Sequence, residues 1–108
     1  MSDDNVKEKT LNMAELVAYQ EGSVVSRTLI SKEFGTVTAF AFDKGQGLSE
    51  HTAPFDALVQ IVDGKAQINI SGKPHILHEG EMIIMPADKP HSLQAIDKFK
   101  MMLIMVKK

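Results

Sequence analysis

The sequence predicts an all-β chain folded as one small antiparallel β-barrel or sandwich, and three observations lead there. From Ser23 onward, short runs rich in Val, Ile, Thr and Phe recur at intervals of roughly eight to twelve residues. Gly, Pro, Asp and Ser signals separate the runs. One run, Ala66–Ser71, alternates cleanly, with Ala66, Ile68 and Ile70 on one face and Gln67, Asn69 and Ser71 on the other. That is the pattern of a half-buried strand.

A polar lead, residues 1–22, opens the chain. Within it Asn12-Met13-Ala14-Glu15, followed by Leu16 and Val17, predicts a short helical turn, because the Asn12 side chain can accept from a backbone N–H of the first turn. Residues 23–108 make the barrel. Its predicted strands are Val24–Ile30, Thr36–Phe42, Ala57–Val62, Ala66–Ile70, Pro74–Leu77, Met82–Met85, Ser92–Ile96 and Phe99–Val106. Gly35, Asp43-Lys44-Gly45, Asp63-Gly64, Ser71-Gly72, Glu79-Gly80, Pro86–Pro90 and Asp97-Lys98 divide them. Asp63-Gly64 reads as a two-residue hairpin turn, since Asp and Gly tolerate the positive φ such a turn requires.

Composition narrows the function classes. A chain of 108 residues, 44% hydrophobic and 24% charged, is one globular domain able to bury a core without disulfides. A formal charge of −2, with twelve Lys and Arg scattered along the chain, supplies no field for a polyanion, so nucleic acid is not an expected partner. The absence of cysteine excludes thiolate nucleophiles and Cys-ligated metals. The acidic start (Ser2, Asp3, Asp4, Asn5) is unlike a secretory signal, and no apolar run reaches membrane-spanning length, so the expectation is a cytoplasmic protein with no membrane partner.

Two of the four histidines stand in telling surroundings. His51 follows the Gly45-Gln46-Gly47 bend and is expected to open the segment Glu50–Ala57; His91 follows the stiff turn Pro86-Ala87-Asp88-Lys89-Pro90 and opens the next strand. Neutral imidazole can ligate a metal, move a proton or form a hydrogen bond, and it can equally satisfy a local carbonyl. Ser49 and Ser92 lie near them in sequence, which by itself does not make a nucleophile–base pair. His75 and His78 lie beside turns, where solvated surface roles are expected.

The stretches Gly45–Gly64 and Gly80–Gln94 resemble the two signature motifs of the cupin family. The first motif runs glycine, five residues, His-x-His, three or four residues, Glu, six residues, glycine; Gly45, His51 and Gly64 match it. The second runs glycine, five residues, Pro-x-Gly, two residues, His, three residues, Asn; Gly80, Pro86 and His91 match, with Asp88 at the second glycine and Ala95 at the Asn. Metal-binding cupins supply three His and one Glu. Here His51 and His91 occupy the first and last ligand positions, whereas Ala53 and Ala57 stand where the second His and the Glu belong. The resemblance implies a divalent metal (Fe, Mn, Ni or Zn) at His51 and His91, and half of the ligand set is gone. Asp56 is the nearest substitute, although alternation points it to the opposite face unless a bulge intervenes.

In a barrel of this family the two alanines leave a volume. Val59 and Ile61 are expected on the same inward face, with Phe40, Met85, Met82 and Ile84 as further walls and Phe55 at the mouth. The seven methionines are read as adaptable packing for the core or for an interface. Three functions follow: a barrel that binds a small molecule around His51 and His91, a metal-dependent dioxygenase or isomerase, or a partner-binding barrel with a vestigial site. The run Met101–Val106 is apolar at every position, so one face is expected to meet the core and the other a second subunit in a homodimer.

Overall fold

The structure, a computed structural model, describes residues 6–108; the acidic start at residues 2–5 lies outside them. Eight strands follow the lead: β1 Val24–Lys32, β2 Gly35–Phe42, β3 Gly47–His51, β4 Phe55–Ile70, β5 Lys73–His78, β6 Met82–Met85, β7 His91–Gln94 and β8 Phe99–Lys107. All pairings are antiparallel, in the order β1-β2-β8-β4-β7-β3, with β5 and β6 also hydrogen-bonded to β4. The all-β barrel predicted from strand spacing is the observed fold.

β4 organises the barrel because it belongs to both walls. Its first half pairs with β8 and β6, and its second half with β5 and β7. The predicted hairpin at Asp63-Gly64 is therefore wrong: the runs Ala57–Val62 and Ala66–Ile70 are one strand of 16 residues. What Asp63-Gly64 provides is a bulge, where the register against β8 shifts between Ile61 and Asp63. The buried positions change parity across it, from Ala57, Val59 and Ile61 to Ala66 and Ile68. An extra residue inserted into a strand has this effect, and it bends the strand from one wall to the other. Gly64 sits at φ +79, and a Cβ there would run into the Lys98 carbonyl oxygen. Glycine meets both demands.

The interior is filled from both walls by Val59, Ile61, Ile68, Phe42, Phe99 and Met101, all fully buried. The Phe42 and Phe99 rings stack with centroids 4.5 Å apart. The lead closes part of the outer surface. Met13–Glu15 forms the predicted turn, here a 3-10 helix, and the Ala14 N–H donates to the Asn12 side chain at 2.9 Å. Val17 packs on Ala39, Ala41 and Met102. The Tyr19 hydroxyl donates to Asp63 at 2.6 Å, and the ammonium groups of Lys98 and Lys100 lie 4.8 and 4.9 Å from its ring centre. Among the described residues no helix is long and apolar enough to cross a membrane.

Candidate functional site

Two loops and a bulge bring the histidines together. The turn before β7 is held from three sides. Its Ala87 N–H donates to Asp56 Oδ1 at 2.9 Å, its Asp88 N–H donates to the Ala53 carbonyl at 2.8 Å, and Asp88 pairs with the Lys108 ammonium at 2.5 Å. Asp88 adopts φ +66, the left-handed conformation that Asp tolerates better than most residues and that explains glycine at this place in the family motif. So fixed, the turn delivers His91 as the first residue of β7.

His51 arrives differently from the sequence reading. It ends β3 instead of opening the segment after it. Leu48 pairs with Leu93 and His51 with His91, so three steps along β3 match two along β7. The bulge turns His51 to the face that simple alternation would give to Glu50. The two rings meet edge-on, with centroids 4.4 Å apart and an interplanar angle of 68°.

Hydrogen bonding fixes their tautomers. His51 Nδ1 donates to the Ser49 carbonyl at 2.7 Å and His91 Nδ1 donates to the Lys89 carbonyl at 3.1 Å. A carbonyl only accepts, so each Nδ1 carries a proton and each neutral ring presents a lone pair at Nε2. The two Nε2 atoms lie 3.2 Å apart. His91 is 6% exposed, and burial pushes its pKa below the ordinary histidine value. The Lys89 carbonyl opposes that shift and the His51 ring adds to it. His91 is thus neutral near pH 7, and its Nε2 and that of His51 face each other.

They converge on a cavity of about 50 Å³ lined by Leu48, His51, Ala53, Phe55, Ala57, Met85, His91, Leu93, Met101, Leu103 and Met105. By volume it has room for roughly three to five water-sized groups. Apart from the two imidazoles its walls are apolar.

Of the predicted site residues, the structure places His51, His91, Phe55 and Met85 around one cavity. Val59 and Ile61 face inward, as alternation requires, but are packed solid in the core and do not line the cavity. Phe40 packs against that core, its ring 5.8 Å from Phe42, and is absent from the cavity wall too. Met82 and Ile84 project from the outer surface, the reverse of the expectation. Asp56 is corrected as well. No bulge turns it inward; its carboxylate braces the turn that carries His91. His78 lies on the surface beside Glu81, 3.3 Å away. The wall residues missed from the sequence are Leu48, Leu93, Met101, Leu103 and Met105. Three of them share one parity on β8, a signal hidden because the residues between them are apolar too.

Two imidazoles with free Nε2 lone pairs satisfy part of a divalent metal's needs. Among the described residues no group of three or more His, Cys, Asp or Glu is placed to hold such an ion, and the cavity contains no carboxylate. Catalytic metal sites commonly have three protein ligands. The residues present therefore do not fit the divalent ion of the family's four-ligand motif.

A small antiparallel jelly-roll with two histidines at the family's motif positions is of the cupin class. The cupin-domain family model matches residues 39–107, and the chain belongs to that family. It is similar to a conserved protein of unknown function from Streptococcus pyogenes, at 36% identity and TM-score 0.93 over 100% of this chain and 96% of that one. A cupin 2 conserved barrel domain protein from Leptotrichia buccalis matches 90% of this chain at 45% identity and TM-score 0.88; this chain spans only 47% of it. A cupin superfamily protein from Desulfitobacterium hafniense matches at 27% identity and TM-score 0.89, over 94% of each chain. No curated protein matches the sequence.

Proposed function

We propose that this cupin binds a small organic acid, a short apolar body carrying one ionisable O–H group, at His51 and His91. The observation that supports it is the pair of Nε2 lone pairs 3.2 Å apart, each ring held by a carbonyl at Nδ1. An acid supplies a proton to the neutral His91 and leaves its anion beside the resulting imidazolium. The apolar wall receives the rest of the ligand. No serine lines the cavity, and among the described residues no divalent-metal set is present, so the geometry favours holding a ligand over transforming it.

Acetate, propionate and butyrate are suitable probes for a cavity of this size. Affinities near millimolar, about 4 kcal/mol, are expected for ligands so small. Because His91 starts neutral, binding of the carboxylate takes up a proton. Affinity should rise as pH falls from about 8 to about 6, by up to about tenfold per unit. Titration followed by NMR of the imidazole C–H signals measures this. Shifts unaffected by pH, or retained in folded His91→Gln protein, would refute acid binding.

The same barrel is proposed to work as a homodimer. Paired residues form one transverse row across the outer face: Ile30 with Val37, Val37 with Ile104, Ile104 with Leu58, and Leu58 with Ile84. Directly paired residues share a face, and the inward Ala57, Val59 and Leu103 fix this row outward. Val106, at 57% exposure, and Phe34, at 68%, extend it. The lead covers Ala39, Ala41 and Met102; Val37 packs against that cluster, while Ile30 and Ile84 at the two ends of the row stand exposed. A second copy placed about a two-fold axis would bury like against like. Light scattering at micromolar concentration should give twice the chain mass, and Ile104→Lys should yield folded monomer, with dimer affinity weakened on the order of 100-fold. Wild-type monomer would overturn the proposal.

A further inference from the structure

The donors around the cavity are unusual in kind. Ala57 lines it between two methionines that are its register partners: Met85 on β6 and Met105 on β8. Directly paired residues share a face, so Met85, Ala57 and Met105 form one short row facing the interior, and the middle member has no side chain beyond Cβ. The two imidazoles line the same cavity. Their Nδ1 bonds to backbone carbonyls are the outer contacts that typically orient metal-binding histidines, leaving Nε2 free.

The spacing suits one ion. For imidazole bonds of about 2.0–2.1 Å, nitrogens 3.2 Å apart subtend roughly 100–106° at a shared metal, close to the tetrahedral value. Two positions of such a shell remain, and the lining offers thioether sulfur to fill them. Soft thioethers select Cu(I), whereas hard divalent ions favour oxygen, which no carboxylate here provides. A single positive charge is also less costly than two in an apolar cavity.

We infer that the cavity is a Cu(I) site, with His51 and His91 binding through Nε2 and Met85 and Met105 through thioether sulfur. The inference shares its cavity with the acid-binding reading but not its chemistry. Protein that binds the acids and no Cu(I) overturns the metal alone, and protein that binds Cu(I) and no acid overturns the acid alone.

Anaerobic titration with Cu(I) against a chromophoric competing chelator tests it. One Cu(I) per chain is expected, with an X-ray absorption spectrum containing both nitrogen and sulfur shells. Met85→Leu with Met105→Leu keeps the apolar volume, and this double variant should lose at least about 100-fold in affinity, the upper end of what removing an outer partner of a ligand costs. Met82→Leu, on the outer surface and not part of the cavity wall, should bind as wild type. Failure to retain Cu(I) against the chelator overturns the proposal. So does full affinity in the folded double variant. Should that variant not fold, the wild-type spectrum decides, and a shell without sulfur is the overturning result.

Discussion

Replacing Gly64 with valine is expected to destabilise the protein by at least about 3 kcal/mol, enough to unfold many domains of this size. Two effects add. The backbone there is at φ +79, which a β-branched residue adopts only under strain. A Cβ would also collide with the Lys98 carbonyl, a backbone atom of the segment entering β8. Moving it means parting Gly64 from its register partner Phe99, whose ring anchors the core. Because β4 passes between walls at this bulge, both walls lose their alignment. Gly72 provides the control. It has the same φ of +79 and nothing within 4 Å of an added Cβ, so Gly72→Val carries strain alone, about 1–2 kcal/mol. Urea unfolding compares them, and equal losses would remove the collision from the account.

The second large effect is a gain. Restoring the family's ligands with Ala53→His and Ala57→Glu should produce a protein that is less stable without metal and much more stable with it. Ala57 is buried, and a carboxylate there is desolvated beside hydrocarbon, which lowers stability. A divalent ion joining His51, His91 and the two new side chains reverses that. At a metal concentration a thousand times the dissociation constant, binding contributes about 4 kcal/mol, or roughly 15 °C or more in Tm. Wild-type protein, with two imidazoles, should shift by only a degree or two with zinc, on the order of a few tenths of a kcal/mol. Thermal melts with and without zinc make the measurement. A double variant no more responsive than wild type would mean that something other than the two alanines keeps divalent ions out.

The legibility of the site followed from how each feature is encoded. His91 was legible because a proline-rich turn is a local signal, and its place at the start of β7 follows from that turn. His51 was legible as a site residue through its spacing from Gly45, yet its direction was not, since a bulge is needed to turn it inward and nothing local announces one. The same failure explains Asp63-Gly64. Its residues fit a hairpin turn and a bulge equally well by conformation, and the parity change from Ile61 to Ala66 is the only trace of the difference. Val59 and Ile61 lie on the inner face that alternation gives them, and Phe40 packs beside them, but alternation gives a side and never a depth.

By itself the sequence determined the strand content, the punctuation, the family and the absence of half of a divalent metal's ligands, because these depend on residue type and spacing along the chain. The tertiary structure alone decided which strands merge, which inward residues reach the cavity and how two imidazoles 40 positions apart come to share it. Those outcomes depend on register between strands remote in sequence, where one inserted residue reverses every side chain that follows.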